Sequence, residues 1–186
     1  KEEETMAFRV IMDHLRGATF LISDGAIPSN KDQGYFTRRL IRRAVRFAYN
    51  LGVDYNFTKD IAKIVINEYV DYYTDLRSKQ SMIMKEMEKE ENKFRQTLVK
   101  GEKEFKKWLT SEDGNSEMIP GKVAFDLFQS YGYPLEMTQE MAEENAKEVD
   151  VKGFKQAMKE HQELSRTASA GKFKGGLADS SEETTK

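Results

Sequence analysis

The stretch DGAIPSNKDQGYFTRRLIRRAVRFA, residues 24–48, decides the fold because it holds a helix break followed by a two-faced helix. Gly25 and Pro28 end the preceding helical pattern, since a proline disfavours the helical conformation of the residue before it. A second helix is then predicted from about Gln33 to Leu51, with Gly52 as its stop. One of three polar loop residues is expected to be its N-cap: Ser29, Asn30 or Asp32.

The two sides of this predicted helix differ sharply in chemistry. At about 100° per residue its five arginines fall within an arc of roughly 140°, opposite an apolar side. No acidic residue stands four positions away to pair with them within the helix. Because arginine suits bidentate contacts with phosphate oxygens, we interpret this side as phosphate-facing. The alternatives are an ordinary solvated face and pairing with carboxylates inside the fold. The arginine face consists of Arg38, Arg39, Arg42, Arg43 and Arg46.

Helical patterns cover most of the rest of the chain. Apolar spacing predicts a first helix from Glu4 to Ser23 and a third from an N-cap at Thr58 toward Leu76. The fourth and longest helix has a heptad seam from Met84 to Trp108, interrupted by Glu91 and Gly101. Such a helix is expected to pack against a neighbour along the seam and to be solvated elsewhere.

The last third of the chain predicts shorter helices. These cover residues 122–131, 136–147 and 151–168, and His161 falls on the apolar stripe of the last one. We therefore predict an all-α helical bundle of two subdomains, residues 1–112 and 113–170, with a disordered tail at 171–186.

Composition excludes several classes of function. The 186 residues include no cysteine, and the only histidines are His14 and His161, so neither a zinc–thiolate site nor a histidine metal cluster is expected. No apolar run approaches the roughly 20 residues of a membrane span. Net charge is −2, so a nucleic-acid partner is indicated only by where the arginines lie. We find no glycine-rich phosphate loop, catalytic triad or carboxylate pair, and we expect His14 to be a core residue. The chain is expected to be a piece of a longer protein.

Three segments carry a resemblance to a known family. Residues 18–46, ATFLISDGAIPSNKDQGYFTRRLIRRAVR, closely resemble alanyl-tRNA synthetases, in which D-G-x-x-P-S-N leads through G-Y into R-R-x-I-R-R. Residues 121–138, GKVAFDLFQSYGYPLEMT, and 172–179, KFKGGLAD, resemble later segments in the same order. The resemblance implies a helical tRNA-recognition region between the class II catalytic core and the editing domain.

For function, the resemblance implies binding to the acceptor stem of the alanine tRNA, whose identity element is a G·U wobble pair. It also implies that ATP-dependent alanine–tRNA ligation, a step of protein biosynthesis, belongs to the full-length enzyme. This part lacks the class II motifs and the zinc-ligand motifs, so no catalytic residue, cofactor or metal is expected in it. ATP, Mg²⁺ and an editing-domain Zn²⁺ are expected only in the full-length protein. We expect a cytoplasmic, monomeric fragment without a DNA or membrane partner.

The resemblance also implies which residues read the RNA. An A-form minor groove exposes the guanine 2-amino group of a wobble pair, which needs an acceptor. Asn30 matches the family's asparagine; Gln129 stands where most members have Asp; Glu136 is a second acceptor candidate. A glutamine carbonyl accepts more weakly than a carboxylate. The rival hypothesis is a helical interaction or scaffold module without RNA specificity, in which the seam docks a protein and the arginines are structural.

Overall fold

The computed structural model describes residues 2–173, apart from the side chains of Glu3 and residues 168–173. The all-α prediction is confirmed, and within this range no helix is long and apolar enough to span a membrane. Of the predicted tail, 171–173 end the last helix and the remainder lies outside the described residues. The helices are α1 (Glu2–Ser23), α2 (Asp32–Asn50), α3 (Thr58–Tyr69), α4 (Asp75–Leu109), α5 (Gly121–Asp126), α6 (Leu135–Glu143) and α7 (Val151–Phe173).

Short irregular elements connect the helices after α4. A 3₁₀ turn at Glu112–Asn115 precedes strand β1 (Met118–Ile119), and a π-helical turn, Leu127–Tyr131, continues α5. Strand β2 (Glu148–Val149) pairs with β1 in parallel. This two-residue ladder was not predicted, because it is too short to show a period-two pattern.

A buried carboxylate starts α3. Thr58 was predicted to be the N-cap, which is wrong: Phe57 holds that position, and Thr58 begins the helix. The amides of Phe57 and Thr58 donate to Glu91 Oε2 at 3.1 and 2.9 Å, so Glu91 on α4 caps α3 from outside. Glu91 is 1% exposed and is also paired with Arg95 at 2.8 Å. A glutamate at this position of the predicted seam therefore has a structural cause.

The loop before α2 folds back on the first turn of that helix. None of the three candidate residues caps α2, because Lys31 is the N-cap and no side chain caps it. Ser29 Oγ instead donates to the Lys31 carbonyl at 2.9 Å. A Cβ on Gly34 would lie 2.3 Å from the Ile27 carbonyl, so only glycine permits this approach. The loop carrying Asn30 is thereby anchored to α2.

The main core runs from α1 through α4 and includes α6. Its members extend from Ala7 to Ala142, with Tyr133 fully buried among them. A second, small cluster joins α5 and α7 around Phe125 and Phe154. The division at residue 113 stays a prediction.

Candidate functional site

The arginine face of α2 turns largely into the fold. Arg42 and Arg46 are 5% and 2% exposed. Arg42 Nε donates to Glu90 Oε1 at 2.6 Å, and Arg46 Nη2 donates to Glu144 Oε2 at 2.6 Å. For these two residues the interpretation as a phosphate-facing surface is wrong, because a buried guanidinium requires carboxylate partners and has them here.

Three arginines of this face form a ladder of ion pairs with acidic residues of α6 and with Glu144, the C-cap of that helix. Residues spaced by three or four lie on one side of a helix, and both sets have that spacing. The partners are about a hundred positions away along the chain, so no local sequence pattern could reveal them. The pairs are Arg39–Glu136 at 2.6 Å, Arg43–Glu140 at 2.5 Å and Arg46–Glu144 at 2.6 Å.

Burial and neighbouring carboxylates shift the pKa of the two buried arginines of this face. Burial lowers the pKa of Arg42, against the attraction of Glu90. Burial also lowers that of Arg46, but hydrogen bonding and attraction from Glu144 and Glu102 outweigh it, so the Arg46 pKa is raised. Both guanidiniums stay charged, because the ordinary arginine pKa lies far above neutral pH. The two residues are therefore permanent structural cations.

His14 lies beside the middle arginine of the ladder and is half-buried, so it is not a member of the core as predicted. Its Nε2 lies 2.8 Å from Arg43 Nη1. Burial, followed by the charge of Arg43, lowers the His14 pKa to about 4. The ring is therefore neutral at pH 7 and can accept from the arginine. Burial also raises the pKa of Glu140, although Arg43 opposes this.

Glu136 does not face the same cleft as the other two predicted reading residues. Its carboxylate pairs with Arg39 and accepts from the Tyr35 hydroxyl at 3.3 Å. Burial, then Glu136, raises the Tyr35 pKa to about 12. Glu136 lines a cavity of about 380 Å³ together with His14 and Glu140. Glu136 therefore lies outside the cleft that contains Gln129 and holds α6 on α2 through Arg39, so its role as an acceptor for RNA stays a prediction.

Asn30 and Gln129 do lie in one cleft. We call it the reading groove: a cavity of about 500 Å³ between the start of α2, the middle of α4, the π-helical turn and α7. Gln129 is exposed on the π-helical turn, and such turns recur at functional sites. Cations also line the groove. Among its lining residues are Asn30, Lys31, Arg38, Lys93, Gln129 and His161.

A polar network fixes the Asn30 side of the groove. Arg38 Nη1 donates to Asn30 Oδ1, and Arg38 Nε lies 3.2 Å from Glu90 Oε1. Since the amide oxygen of Asn30 faces the arginine, its amino group is the end that remains for a ligand. Asn30 therefore presents a hydrogen-bond donor to the groove.

The same network holds the opposite side. Arg42, the second partner of Glu90, donates to the Gly132 carbonyl, and Thr97 Oγ1 donates to the Tyr131 carbonyl at 2.6 Å. Both contacts pin the end of the π-helical turn to α2 and α4. Glu90 thus links the two walls of the groove, a role that sequence reasoning missed because the residue resembles any other glutamate of a charged helix.

The groove is lined by side chains that can bind a ligand. Among residues 2–173 no cluster of three or more His, Asp or Glu side chains is arranged to hold a metal ion. Amides, cations and half-buried aromatic rings line the groove, and these groups bind nucleic acids through hydrogen bonds, charge and stacking.

The chain is similar in sequence to one family of known proteins. Residues 1–185 match the family model described as tRNA synthetases class II (A). The chain is 43% identical to the alanine–tRNA ligase of Borreliella afzelii, over all of this chain and 31% of that protein. It is also 43% identical to the alanine–tRNA ligase of Treponema pallidum, over 97% of the chain and 30% of the relative, and to that of Acetivibrio thermocellus, over 89% and 19%. The chain thus spans about a third or less of these relatives.

Proposed function

The chain belongs to the class II (A) tRNA synthetase family as an alanyl-tRNA synthetase region, and we propose that it binds the acceptor stem of the alanine tRNA and reads its G·U pair. One observation carries the proposal: Asn30 and Gln129, which lie 99 positions apart in the sequence, line one groove. Ligation of alanine, with ATP and Mg²⁺, is proposed for the whole protein, to which this chain contributes RNA recognition.

The two amides suit the minor-groove edge of a wobble pair. The guanine 2-amino group is a donor and the uracil O2 atom is an acceptor. The carbonyl of Gln129 can accept from guanine, while the amino group of Asn30, left over from its bond with Arg38, can donate to uracil. A G·C pair in the same position uses the guanine 2-amino group in its own base pairing. The groove therefore favours the wobble pair.

Cations at the groove supply affinity without sequence preference. Lys31 and Lys93 line it and can meet phosphates of the stem, whereas Arg38, whose side chain is 11% exposed, also lines it but is paired with Glu90 and Asn30. Arg39 and Arg43 are about 30% exposed, so they can reach phosphates only by sharing their charge with Glu136 and Glu140. In this proposal Arg42 and Arg46, which are buried and paired with carboxylates, hold the elements around the groove in place, and Arg42 itself lines the groove.

The test compares two hairpins of the alanine tRNA acceptor stem, one with the G·U pair and one with G·C in its place. Binding to the 186-residue chain is measured by fluorescence anisotropy across a salt series. We expect tighter binding of the G·U hairpin at every salt concentration, by about tenfold for one good base contact. Equal affinities would overturn the reading of the pair, and salt-independent binding of both, or no binding, would favour a scaffold module.

Variants of Asn30 make the test specific. Asn30→Ala should reduce the ratio of the two affinities while leaving the salt slope unchanged, because the amide carries no charge. Asn56→Ala is a matched control, since Asn56 bonds Asn92 on the surface and does not line the groove. A loss of discrimination in both variants would contradict a local role for Asn30.

A further inference from the structure

His161 on α7 makes a contact that fixes the direction of the Gln129 amide. Gln129 Nε2 lies 3.0 Å from His161 Nε2. An amide NH₂ group can only donate, so the ring nitrogen must accept and the ring proton must sit on Nδ1. With the amino end held by His161, the carbonyl oxygen of Gln129 is the end left to a ligand in the groove.

His161 is an exposed residue whose ring lies against one aromatic ring of the second, small cluster. Its ring centroid lies 5.6 Å from that of Phe125, tilted by 55°. Phe125 packs edge-on against Phe154 at 6.1 Å, in the cluster that joins α5 to α7. Contact with the packed ring of Phe125 restricts the rotation of the histidine ring, and this lowers the entropy lost when the histidine orients a neighbour. α7 therefore contributes to the groove through a side chain that is backed by its own small core.

We propose that His161 is a positioning residue for Gln129, which it turns so that the carbonyl oxygen faces the guanine 2-amino group. The inference rests on the proposed function. A glutamine has one accepting and one donating end, and a reversed amide would set an NH₂ group against the guanine NH₂. Discrimination would then be lost although both residues remained in the groove. His161 thus supports specificity rather than affinity.

The first experiment repeats the two-hairpin comparison with His161→Phe, which keeps an aromatic ring against Phe125 and removes the acceptor. We expect the preference for the G·U hairpin to fall by about fivefold to tenfold, the effect of losing one oriented base contact, with the salt slope unchanged. His161→Gln restores a carbonyl acceptor and should recover most of the preference. In a Gln129→Ala background, His161→Phe should have no further effect, because there is no amide to orient.

A second measurement needs no RNA. Two-bond ¹H–¹⁵N correlation spectra of the free chain at neutral pH should show His161 protonated on Nδ1, and His161→Phe should shift the side-chain amide signals of Gln129. A ring protonated on Nε2, or unmoved Gln129 signals, would overturn the inference.

The outcomes separate the two proposals. Wild-type chain that binds both hairpins equally overturns the proposed function and this inference with it. Wild-type chain that prefers the G·U hairpin, together with a His161→Phe variant of the same preference, overturns the role of His161 alone.

Discussion

Arg42 and Glu90 form a buried ion pair between α2 and α4, in which Nε and Nη2 of the arginine lie 2.6 and 2.5 Å from the same carboxylate oxygen. The carboxylate also faces Arg38, whose other contact is Asn30. Arg42 in turn holds the carbonyl of Gly132 beside the π-helical turn. A single acidic residue therefore connects the loop that carries Asn30 with the turn that carries Gln129.

Removing the charge of Glu90 should destabilise the fold strongly. Glu90→Gln leaves two guanidiniums around a neutral side chain, and breaking a buried pair by removing one partner costs about 3–5 kcal/mol. Urea unfolding followed by circular dichroism measures the loss. Glu88→Gln is the control, because Glu88 pairs with Lys59 on the surface at 38% exposure and should cost less than about 1 kcal/mol. Equal effects of the two variants would contradict the network.

The positive side chains that line the groove should make the affinity for RNA depend on salt concentration. Lys93 lines the groove and is free of the arginine ladder, so Lys93→Gln should weaken binding to both hairpins equally and flatten the logarithmic salt slope by about 0.7–0.9, the value for one phosphate contact. Binding measured between low and moderate salt checks this. The control is Lys63→Gln, because Lys63 lies on α3 outside the groove. An unchanged slope in Lys93→Gln would remove this lysine from the interface.

In contrast to Lys93, Arg46 should affect the stability of the fold and not the salt dependence of RNA binding. Because it is 2% exposed and paired with Glu102 and Glu144, Arg46→Ala should lower the free energy of unfolding by about 3 kcal/mol, as for a broken buried pair. Below the unfolding transition, the salt slope of RNA binding should remain that of the wild-type chain. A flatter slope with unchanged stability would return Arg46 to the RNA-binding set.

Local sequence signals predict most of the helices, because apolar spacing, glycine and proline act over a few residues. The third helix is an exception: it was predicted to run toward Leu76, but it ends at Tyr69, and Leu76 belongs to α4. These local signals do not predict which residues of different helices contact one another. Nothing near Arg43 in the sequence announces Glu140, and the asparagine and glutamine of the groove came together only through the fold. The family resemblance supplied Asn30 and Gln129 as candidates, but not the buried state of Arg42.

The two interruptions of the predicted seam on α4 also have partners that are distant in sequence. From sequence, Glu91 and Gly101 look like defects in an apolar stripe. In the structure Glu91 caps α3, and Gly101 makes room for the ring of Tyr133, whose hydroxyl donates to the Leu98 carbonyl at 2.7 Å. Both exceptions serve a partner that is distant in sequence.

Filling the space at Gly101 should therefore be costly. A Cβ there would lie 2.3 Å from Cε2 of the fully buried Tyr133, so Gly101→Ala should destabilise the chain by about 1–3 kcal/mol, the usual effect of overpacking. Gly17→Ala is the control: it is also within a helix, but its Cβ would lie 3.7 Å from Leu40 and make an ordinary contact. That variant should gain up to about 1 kcal/mol from helix propensity. Thermal unfolding that moved both variants in the same direction would contradict the packing argument.

Stability should fall in mild acid because of His14. Its pKa is about 4 in the folded chain, lowered from 6.5 by burial and then by Arg43. Between pH 6.5 and 4 the unfolded chain binds a proton at this site that the folded chain does not, so lowering the pH through this window favours unfolding. The pKa of Glu140 is raised in the folded chain, so this residue opposes the loss of stability on acidification, and it does so in the wild type and in a His14 variant alike. His14→Gln keeps an acceptor for Arg43 without a titrating ring, so its free energy of unfolding should fall less than that of the wild type between pH 7 and 4.5. Urea titrations at half-unit pH intervals measure the difference, and parallel curves for the two chains would show that His14 takes up its proton equally in the folded and unfolded states.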